Sequence, residues 1–553
     1  MVKRDSERTP LLHQAVAAAA AAGSSTSSSS SLVFPASLCS TDSSVTVDDS
    51  PDRMTAQAAE AEENAASAQP EDVHAPITAA LVWDETGRIV TLTWPILVGY
   101  VLISSLSIAS ILSLGHVGTK ELAASALTTM FCNVTGFSLG MGMNCAMDTL
   151  CSQAYTASRD KYALGKHLQR SIVVMVVMSI PISIIWLFTK EILLAFGQDP
   201  EISELSGVFA RWMLPGLVPY LVGDSIKRYL QTQGIVKASM WVIAIVAPVN
   251  IFLQWFLVWS PYAIGIVGAP IATSISNTLI CLMTMAYTAW IDGYETWGGW
   301  DWNEALDMRQ IWIYVKLGVP GIAMVCSEWW AFELVALASG LLGDQALAAQ
   351  TVVLNTCSLT YIIPMSVSIA ISTRIGNSLG AGLPLSSKVV AVTGYALGFV
   401  LAMINASFLY IVRDSWGWVY SNDAEVVTIV ASVLPLAALF QLSDGLCAIG
   451  GGVLRGCGRQ HLGAYINLAG YYIAGLPVGL YAGFRLGFGL EGIWFGLTVA
   501  LVIVSATIGV LVVRTDWSKE VENALALAGH AHGDANRGAY GAIATEDAAS
   551  NAA

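Results

Sequence analysis

A chain of 553 residues is long enough for several soluble domains, but only 12% of it is charged, against about 25% in ordinary soluble proteins. The net charge of −14 sits mostly at the ends, with −8 in residues 1–88 and −4 in residues 515–553. The body between them cannot make a soluble surface of roughly 25–35% charge, so the composition excludes a soluble multidomain protein and indicates a polytopic membrane protein.

Residues 1–88 are expected to be a disordered cytoplasmic tail. Their Ala- and Ser-rich stretch buries too little apolar surface to offset chain entropy, and it is too short to cross a bilayer. Within it Glu7-Arg-Thr-Pro-Leu11-Leu12 fits the acidic dileucine pattern, in which an acid stands four residues before Leu-Leu. It resembles the signals that adaptor proteins read when sending cargo to vacuoles, so Glu7, Leu11 and Leu12 are the candidate sorting residues. The vacuolar or the plasma membrane is the expected location.

A span needs about 20 mainly apolar residues. Twelve such runs follow: 91–114, 122–146, 170–189, 207–226, 238–259, 266–290, 318–342, 347–371, 388–411, 427–448, 462–483 and 490–513. Lipid cannot satisfy open strand edges, so these are helices. An even number puts both termini on one side. With the termini cytoplasmic, Lys and Arg divide 21 inside to 5 outside, which is the orientation the positive-inside rule selects.

The chain also repeats itself. Gly118-Thr-Lys-Glu-Leu-Ala-Ala124 matches Gly343-Asp-Gln-Ala-Leu-Ala-Ala349 at an offset of 225, and Leu230 and Gly234 match Leu454 and Gly458 at 224. A near-constant offset along a whole half means duplication. The fold class is therefore an all-α polytopic membrane protein of 12 transmembrane helices in two pseudo-symmetric six-helix lobes, residues 89–290 and 318–514. A pseudo-two-fold axis along the membrane normal relates them. The linker 291–317 carries Trp297-Gly-Gly-Trp300-Asp-Trp302, and Asp301 with Glu304 has capping-box spacing, which predicts a short interfacial helix running through Leu306, Met308 and Ile311. Residues 515–553 are expected to be a cytoplasmic tail.

Intramembrane acids are the informative residues, because each charge at mid-bilayer costs at least about 2.5 kcal/mol. Asp148 and Asp224 lie near helix ends, within reach of water. Glu328 and Glu333 lie well inside the seventh span, about 140° apart around one helix, and Asp444 lies in the tenth. A desolvated carboxyl favours its neutral form and can take up either a proton or a cation, as a proton-coupled cation exporter requires. Trp329, Trp330, Phe332 and Tyr361 offer apolar and cation–π contacts to a flat organic cation. The nine Cys have no CxxC spacing and no His clustered with them, so no metal or other cofactor is expected. The His residues lie in tails, loops or helix ends, which argues against an intramembrane enzyme. A lipid flippase is the main alternative, and it would need a cationic central cleft for phosphate, whereas the central charges here are acidic.

Longer motifs then appear in order: Asn133-Val-Thr-Gly-Phe-Ser-Leu-Gly140, Met147-Asp-Thr-Leu-Cys-Ser-Gln-Ala-Tyr155, Ser372-Thr-Arg-Ile-Gly-Asn-Ser-Leu-Gly-Ala-Gly382 and Gly452-Val-Leu-Arg-Gly-Cys-Gly458. By these the chain resembles the eukaryotic branch of the multidrug and toxic compound extrusion family over about residues 89–514. The resemblance implies a V-shaped pair of lobes and a monomeric antiporter that exports small organic substrates. Its driving force would be a proton gradient, with sodium less favoured, and it would have no nucleic-acid partner. It carries a carboxylate site onto Glu328, Glu333 and Asp444, and leaves Asn355 where some animal members have an acid. Trp329, Trp330, Tyr361, Asn355, Asn133 and Gln153 are the candidate substrate contacts.

Overall fold

The computed structural model describes residues 75–115, 118–261 and 263–530. The dileucine residues Glu7, Leu11 and Leu12 lie outside them. The described residues contain helices and no strands. The first half comprises α1 (Ala79–Gly115), α2 (Thr119–Ala157), α3 (Ala163–Leu187), α4 (Pro200–Thr232), α5 (Lys237–Trp259) and α6 (Gly265–Trp290). The second comprises α7 (Met308–Gly340), α8 (Asp344–Gly380), α9 (Pro384–Val419), α10 (Ala424–Gly456), α11 (460–485) and α12 (Gly489–Val513). A further helix, α13, follows at Trp517–His530. The end of the bundle carrying Ala79 and α13 is called proximal below, and the other end distal.

Eleven of the twelve are long and apolar enough to cross a membrane. The exception, α11, is built from α-helical pieces interrupted by π-helical stretches at Ala469–Gly475 and Tyr481–Arg485. Its glycines and Asn467 dilute its hydropathy. The widened turns let Gly470, Gly475 and Gly479 lie flush against α12, where an added Cβ would meet Val504, Ala500 and Ile493. A single π turn also interrupts α2 at Asn133–Phe137.

Each half has its own apolar core. Trp186, Met175, Leu217 and Tyr229 are fully buried in the first, and Trp494, Phe440, Leu434 and Tyr471 in the second. The halves meet through α1 and α2 of the first and α7 and α8 of the second, the elements that the internal repeat makes equivalent. The packing is closest in the proximal part of α2. A Cβ at Gly142 would fall on the Ile322 backbone of α7, and one at Gly376 of α8 on the Ser152 side chain.

The interlobe linker differs from the sequence expectation, and the C-terminal tail carries a helix that the sequence reading did not name. The capping box forms by half: Asp301 accepts from the Asn303 amide at 2.9 Å, but Glu304 turns to Arg170 at 2.7 Å and Lys166 at 2.8 Å. Only Trp302–Ala305 is helical there, and Met308 and Ile311 belong to α7, which Asp307 caps by accepting from the Arg309 amide at 2.9 Å. Ion pairing to α3 outcompetes the reciprocal cap, so the run does not make a separate interfacial helix. In the C-terminal region, Asp516 caps α13 by accepting from the Ser518 amide at 3.1 Å. The apolar positions Trp517, Val521, Ala524 and Leu527 then face the bundle, which is why this stretch is helical.

The Gly142 contact yields a test of the interface. Gly142→Ala places its methyl against backbone that cannot move aside, and it should destabilise the protein by about 1–3 kcal/mol. Gly509→Ala meets nothing within 4 Å and should be neutral or slightly stabilising. Thermal unfolding of both variants in the same detergent separates the two outcomes.

Candidate functional site

The acids of the bundle fall into two sets with opposite surroundings. In the first half, Asp224 and Arg228 are one helical turn apart on α4, and Lys227 is their neighbour. The Asp224 carboxylate takes Lys227 Nζ at 2.6 Å and Arg228 Nε at 3.0 Å, and accepts from Asn144 Nδ2 at 2.8 Å. Asp148 on α2 accepts from Arg228 Nη1 and lies 3.5 Å from Arg455 Nε, which comes from α10. Two carboxylates thus meet three cations, and Arg455 carries the cluster across to the second half. These acids are saturated.

More cross-links surround Arg455. Its carbonyl accepts from Thr149 Oγ1 at 2.6 Å, and its Nη2 donates to Ser368 Oγ at 2.8 Å. Gln153 Nε2 donates to the Gly456 carbonyl at 2.9 Å, and Gln460 Nε2 to Thr149 Oγ1 at 2.7 Å. On the other side of the interface Arg374 of α8 holds Glu85 of α1 in a two-pronged pair, both contacts at 2.8 Å. The most distal of these links is Trp330 Nε1 to the Val134 carbonyl at 3.2 Å. Val134 lies in the π turn of α2, whose altered hydrogen bonding presents that carbonyl to α7.

The second-half acids are different. Asp444 is buried and Glu328 half-buried, yet among the described residues neither accepts a hydrogen bond or forms an ion pair. They interact electrostatically with one another, and Glu328 also with Arg455. Tyr361 of α8, Cys447 of α10 and Tyr471 of α11 feel both carboxylates. The Tyr471 hydroxyl is buried with no hydrogen-bond partner. Four helices therefore converge on a polar group inside the second half whose negative charge the protein leaves largely uncompensated. Buried unpaired charge is costly enough that such a group must take up a proton or a cation.

The remaining candidates divide. Glu333 is half-buried and has no charged neighbour acting on it, as its 140° separation from Glu328 implies. Phe332 packs edge-on against Phe440 at 5.8 Å and Tyr471 at 6.4 Å, so it belongs to the core. Trp330 is engaged at the interface, and so is Gln153, which is buried at the proximal contact. Trp329 and Asn133 are half-buried, and Asn355 is exposed on α8. Sequence reasoning passed over Arg455 as a loop-end cation. The Asp224-x-x-Lys227-Arg228 spacing, which places all three on one helical face, was a readable signal that Asp224 is paired. Among the described residues no cluster of ligands fit for a metal occurs, and the eight described cysteines are free.

The chain matches the model of the MatE family over residues 95–256 and 320–481, two stretches that begin 225 residues apart. It is 37% identical over 447 residues to Protein DETOXIFICATION 16 of Arabidopsis thaliana, covering 80% of this chain and 91% of that protein. Over 447 residues it is 33% identical to Multidrug and toxin extrusion protein 2 of Mus musculus, covering 80% and 77%. Among solved structures, the eukaryotic MATE transporter AtDTX14 superposes with a TM-score of 0.77 at 30% identity, covering 81% of this chain and all of that one.

Arg228 supports two buried carboxylates at once. Arg228→Met should therefore destabilise the protein by about 3–5 kcal/mol. Adding Asp148→Asn to it should recover part of that loss, because one orphaned charge is removed with its partner. Unfolding midpoints of the two single variants and the double variant measure the coupling.

Proposed function

This chain belongs to the MatE family, and from that premise we propose that it is a secondary antiporter that exports organic cations or amphipathic compounds in exchange for protons by alternating access. One observation carries the reading: Glu328 and Asp444 are sequestered inside the second half without a hydrogen bond or ion pair among the described residues, while the first-half acids are saturated. A proton and a cationic substrate neutralise the same carboxyl group, so each excludes the other, and that competition is what couples two fluxes. Tyr361, Trp329 and Asn355 are the proposed substrate contacts: Tyr361 interacts electrostatically with both carboxylates, Trp329 adjoins Glu328 in sequence, and Asn355 is exposed on α8. Acids rather than cations at mid-membrane favour this reading over a flippase for phosphate-bearing lipids.

Alternating access requires the proximal links through Arg455, Gln153 and Arg374 to open in one phase of the cycle and close in the other, and the more distal Trp330 link to respond in turn. The charge split supports a cytoplasmic proximal end, and the dileucine element favours the vacuolar membrane, with the plasma membrane as the alternative.

In proteoliposomes, an imposed pH gradient should drive uptake of an organic cation, and a sodium gradient alone should not. Glu328→Gln keeps volume but removes the titratable charge, and it should reach the membrane yet lose gradient-driven uptake by about tenfold or more, within the range for a positioned proton-transfer group. Glu328→Asp should retain part of it. Uptake by Glu328→Gln at the wild-type rate would move the coupling site to Asp444 or Glu333.

The orientation has its own test. Epitope tags at positions 30 and 540 should be reached by antibody only after permeabilisation, and labelling of intact cells would reverse the assignment.

A further inference from the structure

We propose that the cavity beneath α13 is a binding site for the phosphate of an anionic phospholipid headgroup. The cavity measures about 570 Å³ and lies between α13, the end of α12, the α10–α11 turn and Gln153 of α2, a size suited to a small-molecule group. Four basic side chains line it: Arg459 from the α10–α11 turn, His461 from the start of α11, Arg514 from the end of α12 and Lys519 from α13. Two acids line it as well, and both are occupied. Asp516 accepts from the amides of Ser518 and Lys519 at 3.1 and 3.3 Å, and buried Glu520 pairs with Arg459 at 3.2 Å. Arg514 and Lys519 are exposed and have no carboxylate partner among the described residues. The site therefore offers two uncommitted cations.

Its depth fits a headgroup. Arg514 directly follows Val513, the last residue of the apolar α12 span, which sets these cations at the level where the membrane surface begins. Each Lys or Arg near an anionic surface adds to the attraction of that surface. The helix that roofs the cavity also touches both halves: Trp517, Val521 and Ala524 pack on the second-half core, and Leu527 on the first. A headgroup bound beneath α13 thus fastens it over the proximal interface. The inference depends only on α12 crossing the bilayer, and not on which ion drives transport.

Native mass spectrometry of the full chain tests it, with dioleoyl phosphatidylserine and phosphatidylinositol monophosphate as probes and dioleoyl phosphatidylcholine as control. The anionic lipids should stay bound and raise the unfolding midpoint. The double variant Arg514→Gln/Lys519→Gln, altered at exposed positions, should bind them about tenfold or more weakly, the loss expected from two surface cations. Glu520→Gln releases Arg459 from its pair and should bind them more tightly. Equal retention by the double variant, or of phosphatidylcholine, would overturn the proposal. A soluble inositol phosphate that binds as tightly as the lipid would overturn the lipid assignment.

Discussion

A bilayer offers a charged side chain no water, so every carboxylate within the bundle must be matched by the protein or by something that comes and goes. That constraint organises the molecule. Asp224 is surrounded by Lys227, Arg228 and Asn144, and Asp148 by Arg228 and Arg455. Their negative charge is spent on holding helices in place. Glu328 and Asp444 lie among Tyr361, Cys447 and Tyr471, none of which carries a countercharge. The proposed function assigns that charge to a mobile partner. The same residue type is ion-paired in one half and unpaired among the described residues of the other, and the difference lies in whether a cation is built in beside it.

Arg455 stands between the two sets. Its guanidinium reaches Asp148 across the interface and Ser368 within its own half, and it acts electrostatically on Glu328. Gly451 makes this possible: Arg455 Nη1 lies 3.5 Å from where a Cβ at that position would be, and the Met324 methyl fills the rest of the space. A Cβ there would displace the Met324 methyl and sit in van der Waals contact with the guanidinium. A change of charge at Glu328 is therefore felt at a link that joins the halves, without any chain of intermediates.

Most of the architecture was legible because lipid leaves little choice of secondary structure, and the near-constant offset of 224–225 residues exposed the duplication. The site was partly legible. Acids deep in apolar runs stand out, and the five-residue spacing of Glu328 and Glu333 puts them on different faces of one helix, where both could still flank a cavity. Partnership was harder to read. Gln153 sits in a motif that looks like a binding element, yet its amide holds the Gly456 carbonyl across the interface. That contact is between residues about three hundred positions apart, and no local pattern encodes it. The π turns of α2 and α11 were likewise invisible, since they arise where close packing against a neighbour outweighs regular hydrogen bonding. The helix α13 was readable in principle from Asp516 and the Trp517, Val521, Ala524 spacing, but the acidic balance of the tail masked it.

Duplication produces two equivalent halves, and alternating access needs them to differ. Equivalence is kept where the halves meet: α2 pairs with α7 as α8 pairs with α1, so both can pivot on one shared surface. It is lost where the chemistry sits. The uninterrupted α-helix α5 corresponds to α11, whose π segment presents Tyr471 to the second-half acids. The first span of each half also diverges, since residues 91–114 hold no acid while α7 carries Glu328 and Glu333. A transporter with two independent carboxylate sites would let a proton bind one half and substrate the other, and the two fluxes would come apart. Under the proposed antiport, confining the unpaired acids to one half would bring both ligands to the same group.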